Sequence, residues 1–457
     1  MSLFGVLNIA RDALLAQQAA IDTTGQNVAN ATTPGYVRRD AQLSTRPVVG
    51  AGEGGVEMTG YARSADGFAY SRLVEEEGRQ GEASVRADAL ATIEGLLGPA
   101  ERGISSAVTD LFSSFTRLSA SPADPNLRGE VLTKSEALVR AFGNLAGGLV
   151  ASRGELAAKA EAEAKEANLK LAEVATLNGR IAEATATGNE AGDLRDRRDV
   201  LIRDLAASLG ARSIEAASGE VTLFAAGTAL VIGSSASTLS VNVQSNGDLS
   251  VRAVRPGGSA LDVTSKVDGG RLGGYLRVRD TDVPQLMSSL DSFAFDLATA
   301  VNAVHQTGVG LDGVSGRNLF SVGGPAGAAA SLAVDAALAS SPGALAAAAT
   351  AGSLPGGSDI AVAIAQLLDK PLAGGATPGM TLARLVSDLG ARRMAAEGDV
   401  ALRADTVAQA EATYSSSSGV SIDEEMVKLT QLQRAFEAST RVLRAADQLL
   451  EGLLRDL

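Results

Sequence analysis

Apolar residues recur every seven positions at both ends of the chain: Leu7, Leu14, Ile21 and Val28 near the start, then Ile422, Leu429, Phe436, Leu443, Leu450 and Leu457 at the finish. A strict seven-residue interval marks a helix that buries one narrow stripe against another helix, a coiled-coil seam. Burying one such stripe does not offset the entropy of ordering a helix of this length, so each terminal helix needs a partner. That partner is the other terminus, a neighbouring copy, or both, and folding of the ends is expected to be coupled to assembly. Ser421 followed by Glu424 forms a capping-box pattern, and Asp423 and Glu425 add negative charge where a helix start favours it.

At 457 residues the chain exceeds what one core usually organises. From Tyr36 to Leu73 short polar and Gly-rich pieces, such as 49–55, read as an extended connector. Helical patterns return over 81–209, with breaks at Pro99, at the turn from Pro122 to Pro125 and at Gly188. From Ser213 the period changes: Val221, Leu223, Val231, Leu239, Val241, Val243, Leu249 and Val251 alternate or cluster, and Asn246-Gly247 reads as a hairpin turn. This β module is expected to end near Val278. Helix resumes from Pro284 to His305, the Ala, Gly and Ser-rich stretch 323–357 reads as loop or weak helix, and final bundle helices are expected between Asp359 and Thr413, followed by a linker at 415–419. The expected fold is mainly α with an inserted β module. It divides into a terminal helix and connector (1–75), a helical bundle (76–210), a β-rich insert (211–280), the second part of the bundle with its Ala/Gly-rich loop (281–413) and a C-terminal helix (414–457).

A formal net charge of -13 opposes binding to phosphate backbones, so nucleic acid is not an expected partner. The absence of Cys removes disulfides, thiolate catalysis and zinc-thiolate sites. His305 is the single histidine, and no G-x-S-x-G elbow accompanies it, so it reads as structural. Gly308, Gly310 and Gly313 spell G-x-G-x-x-G but follow a helix and open none, which points to a glycine turn and not a dinucleotide site. The acidic groups Glu75, Glu76 and Glu77 read as a solvated helix and Asp423 to Glu425 as a cap, not as paired catalytic carboxylates. No catalytic, cofactor or metal site is expected. The first residues lack the pattern of a cleaved secretion signal, and no run reaches the roughly 18 to 20 apolar residues that span a bilayer, so no membrane association is expected.

The most informative run is Asn27-Val28-Ala29-Asn30-Ala31-Thr32-Thr33-Pro34-Gly35-Tyr36. Asn30 suits the left-handed conformation that ends a helix, Thr33 leads into Pro34-Gly35 at the centre of a type II turn, and Tyr36 restarts the chain in a new direction. A helix stop explains Asn, Pro and Gly but not the whole run. It resembles the N-terminal signature of flagellar axial proteins, the rod, hook and hook-associated subunits, and Val37-Arg38-Arg39 resembles the hook-associated branch. The stretch from Ser418 to Glu425, with Leu429, Gln433, Ala435, Phe436, Ala438, Ser439, Val442, Ala446, Asp447 and Leu450, is similar to the C-terminal helix of the same family. Asp193-Leu194-Arg195-Asp196-Arg197-Arg198-Asp199 is similar to a bundle helix of the junction-forming members. Gln26 and the short middle depart from that pattern.

The resemblance implies a structural subunit, not an enzyme, that polymerises at the distal end of the hook into the junction on which the filament is built. It implies terminal helices packed as an inner tube, with an assembly interface on Leu7, Leu14, Ile21, Val28, Ile422, Leu429, Phe436, Leu443 and Leu450. It also implies export through the flagellum's own type III channel, no cofactor, and as partners further copies, the hook protein, a second hook-associated junction protein and an export chaperone. Hook and distal-rod subunits share the terminal signatures; the long helical middle favours the junction. A wall hydrolase fitted with axial ends is the reading from another class, and peptidoglycan cleavage distinguishes it.

Overall fold

Long helices built from Ala, Leu, Glu and Arg carry most of the architecture, and the computed structural model describes residues 3–46, 54–98, 103–245 and 247–455. Pro99, Asn246, Leu457 and connector residues 49–53 lie outside the described residues. Helix α1 (Leu3–Ala29) leads into an antiparallel hairpin, β1 (Arg39–Arg46) and β2 (Gly55–Arg63). The connector is therefore more ordered than expected. Helix α2 (Gly67–Leu97) also starts earlier than the expected 81, because Asp66 caps it by accepting from the N–H groups of Phe68 and Ala69. Helix α3 (Ile104–Ala120), the 62-residue α4 (Pro125–Ala186) and α5 (Gly192–Leu209) follow, with the 122–125 turn and Gly188, at φ 81°, as breaks.

The insert forms two antiparallel sheets. One orders β3 (Arg212–Glu215), β4 (Val221–Ala225), β5 (Thr228–Ile232) and β6 (Ser235–Ala236); the other orders β7 (Thr238–Val243), β8 (Leu249–Val254) and β9 (Ala260–Asp262). Gly247, at φ 85°, closes the β7–β8 hairpin. The strands end at Asp262, short of the expected Val278, and α6 (Gly270–Arg277) occupies the remainder. Its glycines are poor helix formers, but packing overrides propensity: a methyl on Gly274 would lie 2.9 Å from the Glu82 carbonyl, so α6 can cross α2 this closely only with glycine there. A π-helical turn (Val278–Asp282) joins α6 to α7 (Val283–His305).

The Ala-rich stretch is neither free loop nor long helix. It holds β10 (Phe320–Ser321) paired with β11 (Ala333–Val334), and the one-turn helices α8 (Ala328–Ser331) and α9 (Ala336–Ala339). Ala328, Ala344, Ala347 and Ala348 are buried, and Arg128 of α4 donates to the carbonyls of Pro122 and Leu345 to hold it down. Helices α10 (Asp359–Ala365) and α11 (Pro378–Ser418) complete the bundle; α11 absorbs most of the expected linker, and only 419–421 separate it from α12 (Ile422–Arg455).

Two apolar cores result. The first gathers Phe112, Phe115, Phe142 and Phe293 from α3, α4 and α7, together with α10, the Ala-rich stretch and the first half of α11. The second gathers Leu171 and Val174 of α4, Ile202 and Leu205 of α5, and Val221, Leu223 and Val251 of the sheets.

Candidate functional site: the joint between the terminal helices and the body

Asn27 is fully buried and closes the N-terminal turn on itself. Its Oδ1 accepts from the Arg39 N–H at 3.1 Å and from the Tyr36 hydroxyl at 2.8 Å, while its Nδ2 donates to the Arg39 carbonyl at 2.8 Å. The side-chain amide thus pairs with Arg39 as a neighbouring strand would. The same Nδ2 reaches Glu425 of α12 at 3.1 Å, a carboxylate that is 1% exposed. The two terminal signatures therefore meet at one buried hydrogen bond. Between Thr33 and Tyr36 the chain makes the expected type II turn, with a Tyr36 N–H to Thr33 carbonyl bond and Gly35 at φ 79°. Asn30 does not take the left-handed conformation; its backbone and side-chain amides both donate to the Gln26 carbonyl, closing the last turn of α1.

The turn is seated on α5. A methyl on Gly35 would collide with Val200, so the backbone must lie directly on that side chain. Beside it, Asp193, Asp196 and Asp199 repeat every three residues along one face of α5. Arg39 and Arg63, register partners at the base of the β1–β2 hairpin, grip them together. Arg39 reaches Asp193 at 2.6 Å and Asp196 at 2.9 Å; Arg63 reaches the other Asp196 oxygen at 2.8 Å and Asp199 at 2.6 Å. Burial opposes the Arg63 charge, but Asp199 and Asp196 outweigh it and raise its pKa. Burial raises the Asp199 pKa, with Arg63 and Arg198 working against that rise. Tyr36 lies 5.1 Å beneath the Arg39 guanidinium. Clefts of about 610 and 500 Å³ flank the turn on its two sides, and both are lined by Pro34 and Val200.

Helices α1 and α12 run antiparallel, linked again where Gln17 donates to Ser439 at 3.2 Å. Their most deeply buried apolar and hydroxyl residues are small: Ala10, Ala16, Ala20, Thr23, Thr24 and Ala446 are all under 5% exposed. The seven-residue seam is less deeply buried. Leu7, Leu14, Ile21, Val28, Leu429, Phe436, Leu443 and Leu450 are half-buried, and Ile422 is 50% exposed. The seam thus keeps some exposed apolar surface within one chain.

Comparison with known proteins gives this geometry its context. The flagellar hook-associated protein FlgK helical domain matches residues 90–320, just over half of the chain. The chain belongs to the FlgK family. Its ends match two broader families, the flagella basal body rod protein over 7–36 and the flagellar basal body rod FlgEFG protein C-terminal over 411–455. Flagellar hook-associated protein 1 of Bacillus subtilis is 28% identical across all of this chain and 99% of its own length. The proteins of the same name from Salmonella typhimurium and Escherichia coli K12 are 29% and 28% identical over 70% of this chain, which spans 60% of their length. A solved structure, the flagellar hook junction protein FlgK from Burkholderia pseudomallei, shares the fold with a TM-score of 0.52 at 22% identity, over 55% of this chain and 47% of its own.

Within this FlgK-family chain the remaining candidate residues are occupied structurally. His305 is buried, with Nδ1 2.7 Å from the Arg317 carbonyl and Nε2 accepting from the Ala346 N–H at 3.0 Å; burial lowers its pKa. Gly308 and Gly310 sit where a methyl would crowd Ile360 and the Ala344 carbonyl, in a turn that opens no helix. Asp423 to Glu425 begin α12, and the Glu424 N–H lies 3.4 Å from the Ser421 hydroxyl. No described helix is long and apolar enough to cross a membrane, and among the described residues no cluster of acidic or His side chains is placed to hold a metal. Two members of the joint escaped sequence reasoning. Arg63 carries no local signal, and Glu425 read as one more cap residue until its burial against Asn27 set it apart.

Proposed function

We propose that this FlgK-family chain is a structural subunit of the bacterial flagellum that polymerises at the distal end of the hook into the junction on which the filament assembles. The observation that carries the reading is the partly exposed seam: Leu7, Leu14, Ile21, Val28, Leu429, Phe436, Leu443 and Leu450 are less deeply buried than the small residues of α1 and α12 and keep some apolar surface for neighbouring copies. Ile422, Val427 and Leu449, each half exposed or more, widen that surface. The two cores form the outer body, which spaces a bending hook from a stiff filament. Partners on this reading are further copies, the hook protein, the second hook-associated junction protein and an export chaperone, and the route out is the flagellar export channel.

Electron microscopy of cells lacking the gene tests the assignment: hooks without filaments, and flagellin shed into the medium, are expected. Missing hooks would assign a hook or rod subunit instead, and normal filaments would remove the flagellar assignment. Leu443→Asp is expected to leave the body folded and to abolish assembly; normal filaments from that variant would dismiss the seam as the interface.

A further inference from the structure

Helix α5 belongs to the body without help from the ends of the chain. It packs on α2, α4 and α6, with Ile202, Leu205, Ala206 and Leu209 buried in the second core and Arg198 held by the Gly219 carbonyl and Glu215. Its ladder of Asp193, Asp196 and Asp199 is therefore in place before the terminal arm, made of α1, α12 and the β1–β2 hairpin, takes shape. The arm's half of the clamp is not. Folding of the ends is coupled to assembly, so Arg39 and Arg63 come together only when β1 and β2 pair with these two as register partners. Burial does not select that register: no residue of either strand is buried, and strands without a buried face slip readily. The hairpin's other ion pairs, Arg46 to Asp12 and Glu57 and Asp40 to Lys428, stay within the arm, and each includes a partner more than 30% exposed, which makes them weak.

We propose that the ladder of Asp193, Asp196 and Asp199 is a gauge that fixes the register of the β1–β2 hairpin as the arm orders during assembly, its aspartates acting as positioning residues. Register partners project from one face of a hairpin, so both guanidinium groups reach α5 together; a slip of one residue turns one of them to the opposite face. Asp196 enforces the pair because it takes both: Arg39 lies 2.9 Å from its Oδ2 and Arg63 2.8 Å from its Oδ1. The side chains of Arg39, Arg63 and Asp196 are 10–14% exposed, so a slipped hairpin leaves a half-buried carboxylate or guanidinium without its partner, which is costly. Among the described residues no other cation lies within ion-pair distance of Asp193 or Asp196. The gauge rests on the arm being the assembling element: one register gives one seating on α5, and so one angle at which the assembled arm carries its body.

Hydrogen exchange on the free full chain is expected to show α5 protected while 39–63 exchange at open-chain rates; an α5 that exchanges as fast as the hairpin overturns a preformed gauge. The chain has no Cys, so introduced pairs report the register in flagella isolated from a deletion strain carrying each variant. Ala41→Cys with Tyr61→Cys joins register partners, whereas Ala41→Cys with Ala62→Cys meets only after a one-residue slip. The first pair is expected to close its disulfide about tenfold or more in excess of the second. With Arg63→Gln or Asp196→Ala added, that ratio should fall about tenfold, or the chain should fail to assemble with the body's thermal transition retained. Normal filaments with an unchanged ratio in both backgrounds overturn the gauge alone, as does loss of the body's transition in Arg63→Gln, which lies outside the body. Normal filaments in the deletion strain itself refute the assembly reading and take the gauge with it.

Discussion

Three long helices, α2, α4 and α11, run unbroken along the body, and α4 passes from one apolar core to the other between Leu156 and Ala157. At 62 residues α4 alone spans about 93 Å. Polar contacts lie within the body too, where Asp282 of the π turn, beside the first core, is held by Arg86 of α2 and Arg392 of α11, both at 3.2 Å, but the helices that run from one core to the other keep the body stiff. The joint to the terminal arm is equally polar and lacks any crossing helix. The comparison teaches that polarity alone does not loosen an interface; what matters is whether continuous secondary structure carries the load past it.

The largest effect should fall in the body. Phe142 is fully buried with its ring 5.4 Å from that of Phe293, so Phe142→Ala is expected to cost about 3–5 kcal/mol in denaturant unfolding of the full chain. The terminal helices should not respond: amide hydrogen exchange in α1 and α12 should be unchanged below the transition. If their exchange rises in this variant, the two regions are coupled more tightly than their contacts indicate.

Next come the close crossings and the amide pairs. Gly81 packs where a methyl would meet the Ala207 carbonyl of α5, so Gly81→Ala should cost about 1–3 kcal/mol. Asn178 uses its amide on β4 as Asn27 does on Arg39: Nδ2 donates to the Val221 carbonyl at 2.7 Å and Oδ1 accepts from the Val221 N–H at 3.0 Å. Asn178→Ala should lower body stability by about 1–3 kcal/mol. Asn27→Ala should leave the body's transition in place and instead speed amide hydrogen exchange in α12, whose buried Glu425 loses that hydrogen bond and keeps only the long contact to Arg38 at 3.9 Å. Equal effects of the two substitutions on the body's transition would break the distinction between the regions.

Periodicity made the helices and the β module legible, because seven-residue and alternating patterns report burial directly. The α6 segment was not legible: Gly270, Gly273 and Gly274 argue against helix by propensity, and only the crossing with α2 and α5 explains them. The Ala-rich stretch misled for a similar reason, since alanine fills narrow core space as readily as it fills loops. At the joint, Pro34-Gly35 announced its turn through backbone geometry. The placement of Arg39 and Arg63 over Asp193, Asp196 and Asp199 did not announce itself, because ion pairs between residues more than a hundred positions apart leave no local pattern. The recurring asparagines, Asn27, Asn168, Asn178 and Asn302, each pair with a strand-like backbone, at separations from 12 to 71 positions, and sequence spacing carries no trace of that.

The smallest effects separate the two regions by pH. His305 lies in the body, and burial depresses its pKa below the unfolded value of 6.5. The unfolded chain therefore takes up this proton first, so the contribution of neutral His305 is complete above pH 6.5 and is lost as pH falls through the folded value. Tyr414 lies near the joint, its ring 5.6 Å from Tyr70, and burial pushes its pKa up to about 12 from 10.0. Here the unfolded chain releases its proton first, so stability is full below pH 10 and falls between pH 10 and about 12. Denaturant midpoints measured across both windows should show a downward step on each side. Tyr414→Phe, which keeps the ring, should shrink the alkaline step, part of which belongs to the buried Tyr70 beside it, and leave the acid one, and His305→Gln should shrink the acid step and leave the alkaline one. If both steps appear in a single coincident unfolding transition, one cooperative unit contains both residues, and the line between body and joint must be moved to the arm side of Tyr414.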